Sequence, residues 1–119
     1  MTIQEEKRKC SDLNGIECLC PLEGIIYTIS KKWTLQIVAL LGNNKKMRYN
    51  EILHNLKGIS PKSLADRLKE LKESELISRI MYSEIPPRVE YSLTRDGVDL
   101  LEVIKPLMRW SALRSGCGN

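Results

Sequence analysis

The segment from Gly58 to Gly97 constrains the fold most, because it contains in order the patterns of a capped helix, a strand pair and the start of another helix. Its helix is predicted to begin after Ser60, whose hydroxyl can accept a hydrogen bond from an amide of the first turn. Pro61 suits the first helical position, where its missing N–H costs nothing. The apolar stripe of this helix has helical spacing and consists of Leu64, Leu68 and Leu71. We therefore expect an amphipathic helix whose polar face is basic in its first half.

Two strands are predicted after this helix, at residues 77–83 and 89–93, because both stretches are rich in β-branched and aromatic residues. Pro86 and Pro87 lie between them, where they stiffen the turn and prevent it from pairing as a strand. Arg88 stands at the tip, from which its side chain could reach a phosphate or the minor groove of a duplex. The pattern therefore predicts a hairpin with a rigid tip.

A short helix is predicted before the capped one, at residues 49–56, with Ile52, Leu53 and Leu56 turned inward. Gly58 lies in the turn that joins the two helices. A short helix, a glycine-bearing turn and a second helix are the signature of a helix-turn-helix. With the hairpin added, we expect a mainly α fold with a small β-hairpin, a winged helix-turn-helix whose second helix lies in the major groove of DNA.

Two further helices are predicted on the N-terminal side. One spans Leu22 to Ser30, with Cys20 as its cap and Pro21 at its first position. The other spans Trp33 to Leu41 and is expected to stop at Gly42 and Asn43, since glycine and asparagine are frequent at helix ends. The residues expected to be buried in this second helix are Trp33, Ile37, Leu40 and Leu41.

The last predicted helix runs from Arg95 to Ser111, with Thr94 as its N-cap, and it carries more apolar residues than one narrow stripe. One side of it can pack on the domain, and the excess must be buried elsewhere or left as an exposed patch. A symmetric dimer would bury that excess. The residues expected at this dimer interface are Leu22, Ile26, Leu100, Ile104, Leu107, Met108 and Trp110.

The chain resembles the HxlR-type family of winged helix-turn-helix transcriptional regulators, which are relatives of the MarR-type regulators. The resemblance covers about residues 20–110, and the run PPRVEYSLT is its most specific element. It is carried by CPLEGIIYTISKKWTLQIVALL from Cys20, MRYNEI from Met47, GIS with LADRLKEL from Gly58, and PPRVEYSLTRDG from Pro86. The resemblance implies a homodimer in which terminal helices pack together and set two recognition helices about one DNA turn apart.

Double-stranded DNA with a pseudo-palindromic operator is the partner that we expect from this fold. Residues at the start of the second motif helix would meet base edges, and their neighbours would meet phosphates. Asp66 would have to accept a hydrogen bond from a cytosine amine, since it repels phosphate. The expected DNA-binding residues are Arg48, Ser60, Pro61, Lys62, Ser63, Asp66, Arg67 and Arg88.

The four cysteines are expected to be reduced thiols, because disulfides are rare in cytosolic proteins. Their spacing matches no standard zinc pattern, so no metal and no cofactor are expected. Cys20 permits two interpretations. At a helix start its thiolate would be favoured by the helix dipole, and the family resemblance implies sensing of oxidants or electrophiles at this position. Alternatively it is a small, half-buried apolar residue. The roles of Cys10, Cys18 and Cys117 stay open.

Length and charge agree with one DNA-binding domain. The chain has 119 residues and a net charge of +4, and we expect a domain at residues 15–112 between flexible tails at 1–14 and 113–119. It has no apolar run of membrane-spanning length and no signal peptide, which favours a cytoplasmic protein without a membrane partner. We expect the effector of such a regulator to be an oxidant or a small molecule.

Two other function classes are alternatives to DNA binding. The only histidine, His54, lies on the motif helix far in sequence from Cys20, so a cysteine enzyme is not expected. A winged-helix module that contacts only proteins would share the fold. The basic residues that argue against that alternative are Lys45, Lys46, Lys62, Arg67 and Arg88.

Overall fold

The computed structural model describes Leu19 and residues 23–116, which form five helices and a two-stranded antiparallel sheet. In chain order these are α1 (Ile25–Ile29), α2 (Thr34–Asn44), α3 (Tyr49–Asn55), α4 (Pro61–Glu73), β1 (Ile77–Tyr82), β2 (Arg88–Leu93) and α5 (Arg95–Ser115). The predicted mainly α fold with one small hairpin is therefore confirmed for the described residues. None of these helices combines the length and apolar character that crossing a membrane requires.

The helix-turn-helix consists of α3 and α4, and polar contacts at the helix starts define its geometry. The Ser60 hydroxyl accepts a hydrogen bond from the Ser63 amide at 3.0 Å, and Pro61 occupies the first helical position, as predicted. Gly58 has a φ of +95°, a left-handed conformation that favours glycine. The Tyr49 hydroxyl donates to the Pro61 carbonyl at 2.9 Å, which ties the start of α3 to the start of α4.

The hairpin is extended by a short bridge from the loop before α3. Met47 and Tyr91 exchange two backbone hydrogen bonds, of 3.0 and 2.8 Å. Within the hairpin Arg79 pairs with Tyr91, and Tyr82 pairs with Arg88. Since side chains alternate between the faces of a strand, these two pairs lie on opposite faces of the hairpin. Each face of the hairpin therefore carries one arginine and one tyrosine from these pairs.

The core lies where α2, α3 and α4 meet β1. Its most deeply buried side chains are Ile37, Val38, Leu41, Ile52, Leu64, Leu71 and Ile77. The leucine stripe of α4 faces this core as predicted, since Leu68 is buried as well. The charged side of α4 is thereby turned away from the protein.

The structure corrects the predicted limits of α2. The helix passes through Gly42 and ends at Asn44, and Lys45 follows with a φ of +64°. Gly42 packs closely against α5, where an added Cβ would meet the end of the Leu101 side chain. Trp33 precedes the helix in a left-handed conformation and packs near Gly58, and both it and Leu40 are half-buried rather than buried.

The predicted limits of α1 and α5 are also corrected. The α1 helix spans Ile25–Ile29, and the predicted start at Leu22 lies outside the described residues. The α5 helix runs four residues past the predicted end to Ser115, because good helix formers follow, and Gly116 ends it with a φ of +73°. Residues 113–115 are therefore helical rather than part of the predicted tail.

Replacing Gly97 by alanine is expected to lower the free energy of unfolding by about 3 kcal/mol. An added Cβ would overlap the carbonyl oxygen of Leu76, which is held in place by a 3.0 Å hydrogen bond from the Thr94 amide. Urea unfolding at matched protein concentration measures the change. Gly42→Ala is the control and should cost less, because a flexible Leu101 side chain meets its Cβ. Equal losses in the two variants would contradict this account.

Candidate nucleic-acid interface

The outward face of α4 lies opposite its leucine stripe. Helical spacing places Lys62, Asp66, Lys69 and Glu73 on this face. The Lys62 side chain is 86% exposed, and its Nζ lies 3.1 Å from Asp66 Oδ2. An exposed pair of this spacing contributes only about 0.3–0.5 kcal/mol. The pair can therefore separate readily when another charge or a hydrogen-bonding group approaches.

The first turn of α4 is polar but already organised internally. The Ser60 hydroxyl accepts from the Ser63 amide, and the two hydroxyls lie 3.0 Å apart. Both residues and Pro61 sit at the exposed start of the helix, next to Lys62. Before α3, Arg48 is exposed and its backbone amide donates to Glu51 Oε1 at 2.7 Å. These residues surround the N-terminal half of the outward face.

Arg67 lies on the flank of α4 rather than on its outward face. Its Nε is 2.9 Å from Glu70 Oε1, and only 21% of its side chain is exposed. The second carboxylate oxygen of Glu70 accepts from Lys31 Nζ, also at 2.9 Å. This three-residue network joins α4 to the loop between α1 and α2. The charge of Arg67 is therefore already balanced by a carboxylate within the protein.

Arg88 is likewise held within the protein. Its guanidinium lies 4.0 Å from the centre of the Tyr82 ring, and its Nη2 is 3.2 Å from Glu84 Oε2. The Glu90 carboxylate is 3.8 Å from its Nε. The tip beyond it carries the fully exposed Ile85 and two prolines. The extreme tip of the hairpin is therefore apolar, and the arginine predicted there sits just behind it.

A cleft lies between α4 and the other face of the hairpin. It has a volume of about 270 Å³ and is lined by Tyr49, Ala65, Leu68, Lys69, Lys72, Arg79 and Tyr91. Three of these residues are cationic, and none is acidic. No local sequence pattern assigns these three cations to one site. The alternation of β1 could have indicated Arg79, since it places that residue on the same face as the buried Ile77.

An apolar groove of about 570 Å³ runs between α1 and α5. Ile26, Leu100 and Leu107 line it together with Ile104, but Ile104 is only 5% exposed and belongs to the core of the protomer. Trp110 is 57% exposed and Met108 is also exposed. Leu22 and Cys20, which the sequence analysis assigned to the dimer interface and to sensing, lie outside the described residues.

A family model described as HxlR-like helix-turn-helix matches residues 28–115. The HTH-type transcriptional regulator YodB of Bacillus subtilis is 35% identical over 94 residues, which are 78% of this chain and 83% of that protein. The structure of its reduced form superposes with a TM-score of 0.69 and 33% identity, covering 77% of this chain and 89% of that chain. The oxidised form of the redox regulator HypR gives a TM-score of 0.70 at 31% identity, covering 76% and 93%. The predicted family resemblance is confirmed.

Proposed function

The chain belongs to the HxlR-like helix-turn-helix family, and from that premise we propose that it is a homodimeric transcriptional regulator that binds double-stranded DNA at specific sequences. The observation that carries the proposal is the exposed outward face of α4, beside a hairpin that could follow the duplex backbone. A helix of this kind fits the major groove and reads bases with its N-terminal residues.

The proposed base-reading residues are Lys62, Ser63 and Asp66. Lys62 and Asp66 lie in the first half of the outward face and Ser63 lies on its flank, and the weak Lys62–Asp66 pair leaves both charged groups available to bases. Lysine suits the acceptors of guanine, and a carboxylate suits the amine of cytosine. Arg48, Ser60 and Pro61 surround this position and are proposed to contact the backbone. Arg67 and Arg88 are proposed as secondary contacts, because carboxylates within the protein already balance their charges.

The dimer is proposed to form through the apolar groove and the exposed apolar residues of α5. Leu107, Met108 and Trp110 are large, exposed and close in sequence, which is unusual for a surface that faces only water. A two-fold axis at α1 and α5 would give an operator with two half-sites about one DNA turn apart. The expected operator is therefore pseudo-palindromic.

Selection of duplexes from a randomised pool tests the proposal. The wild-type protein should enrich one pseudo-palindromic sequence and shift it in a mobility-shift assay at a salt concentration where mixed-sequence duplex stays unbound. Failure to enrich any sequence, or equal binding to every duplex, would refute sequence-specific regulation. The enriched sequence is called the selected duplex below.

Cys20 is proposed as the thiol through which an oxidant changes DNA affinity. The relatives of this chain include YodB, solved in reduced and diamide-treated forms, and HypR, solved in reduced and oxidised forms. Diamide should change the affinity of the wild type for the selected duplex, measured by fluorescence anisotropy, and should leave Cys20→Ser unaffected. Diamide joins two thiols in a disulfide, and Cys18→Ser and Cys117→Ser test whether either residue supplies the second sulfur. An identical response in wild type and Cys20→Ser would assign Cys20 a structural role.

A further inference from the structure

The six cations of α4 and the two strands fall into two groups. Those in the first group are already neutralised: Lys62 by Asp66, Arg67 by Glu70, and Arg88 by Glu84 and Glu90. The second group consists of Lys69, Lys72 and Arg79, and the described part of the chain offers none of their side chains an ion pair or a hydrogen bond. All three line the cleft between α4 and the hairpin. The unpaired cations of α4 and the hairpin therefore all line one cleft.

The walls of this cleft are held by contacts on three elements. Tyr91 is bridged to Met47 through two backbone hydrogen bonds, and Arg79 is its partner across the hairpin. Tyr49 donates from its hydroxyl to the Pro61 carbonyl at the start of α4. Lys69 and Lys72 project from the middle and end of α4. The three cations therefore project from elements that are already joined within the protein, and no carboxylate lines the cleft to offset their charge.

We propose that this cleft is a seat for one phosphate of the DNA backbone, held by Lys69, Lys72 and Arg79. This inference rests on the proposed function, because α4 must lie in the major groove for a strand to reach the cleft. With α4 in that groove and the hairpin beside the duplex, the sugar–phosphate strand that separates the two grooves passes between them. Arginine can bind phosphate through two parallel N–H bonds, and lysines add point charges.

The seat has a different role from the N-terminal half of the outward face of α4, where Lys62 and Asp66 lie. A phosphate is present at every position of every duplex, so its contact contributes affinity and register but carries no sequence information. Each neutralised phosphate also releases counterions, which makes binding sensitive to salt. Loss of the seat should therefore weaken binding to every duplex alike.

The test compares wild type with the double variant Lys69→Ala, Arg79→Ala, by fluorescence anisotropy over a range of salt concentrations. We expect about tenfold weaker binding to both the selected duplex and a mixed-sequence duplex, with a log–log salt slope shallower by about one for each phosphate that the variant no longer neutralises. Arg79→Lys keeps the charge and should retain most of the affinity. Arg109→Ala removes an exposed arginine on α5 and should change neither quantity. Since Lys69 and Arg79 are exposed, circular dichroism and Tm should stay those of the wild type.

The possible failures are distinguishable. A wild type that binds no duplex overturns the proposed function and the seat with it. A wild type that binds, with a double variant of unchanged affinity and salt slope, overturns the seat alone. Weakened binding to the selected duplex only, at an unchanged slope, would make these residues base readers and also overturn it. If inorganic phosphate raises the Tm of the wild type but not of the double variant, while DNA affinity is unchanged, the cleft holds a free anion and the seat is refuted.

Discussion

Replacing Leu107 and Trp110 by serine is expected to give a folded monomer that binds the selected duplex about a hundredfold more weakly than the wild type. Both side chains are more than half exposed, so their loss should cost the protomer little internal packing. A dimer gains from binding two half-sites at once, because the second contact is intramolecular after the first. A monomer has only one half-site contact. Sedimentation at micromolar concentration measures the assembly, and fluorescence anisotropy measures the affinity.

Arg109→Gln is the matched control for the dimer prediction. Arg109 lies between Leu107 and Trp110 in sequence, but helical geometry turns it roughly to the opposite side of α5 from Leu107. This variant should remain dimeric and bind as the wild type does. A wild type that sediments as a monomer without DNA would contradict the proposed assembly, and so would a Leu107→Ser, Trp110→Ser variant that stays dimeric.

Local patterns in the sequence were sufficient to predict most of the fold. Ser60 and Thr94 cap helices because each hydroxyl accepts a hydrogen bond from the backbone amide three residues later, at 3.0 and 3.1 Å. Such a cap involves only residues that are close in sequence. The leucine stripe of α4 and the β-branched residues of the hairpin are equally local. The prediction that α2 stops at Gly42 was wrong, because Gly42 packs against Leu101, which lies on a helix distant in sequence.

Less of the candidate site could be predicted from the sequence, because its electrostatics depend on which charged side chains lie together in the folded protein. Arg67 and Arg88 are basic residues in the expected places, yet carboxylates neutralise both. The Glu70 carboxylate that holds Arg67 also binds Lys31, which is 39 residues away in sequence. The cleft with Arg79 and Lys69 joins α3, α4 and both strands, and no single stretch of sequence contains it. The sequence predicted the surface, whereas the structure shows which cations on it are unpaired.

Replacing Lys62 and Ser63 by alanine is expected to weaken binding to the selected duplex by about a hundredfold or more. A good base contact contributes roughly 1–3 kcal/mol of discrimination, and a dimer would be deprived of such a contact in each half-site. Binding to a mixed-sequence duplex should fall far less, because it depends on phosphates. The Lys62 side chain is exposed and its pair with Asp66 is weak, so unfolding in urea should be nearly unchanged.

Glu73→Gln is the control for this last variant, because Glu73 lies on the same outward face of α4 but at its C-terminal end, beyond the residues expected to meet bases. It should leave the preference for the selected duplex intact. The ratio of the affinity for the selected duplex to the affinity for the mixed-sequence duplex separates the two proposed roles. Loss of Lys62 and Ser63 should collapse that ratio, whereas loss of Lys69 and Arg79 should lower both affinities and preserve it. An equal loss on both duplexes in the Lys62→Ala, Ser63→Ala variant would show that α4 contacts only the backbone there, and sequence would have to be read elsewhere.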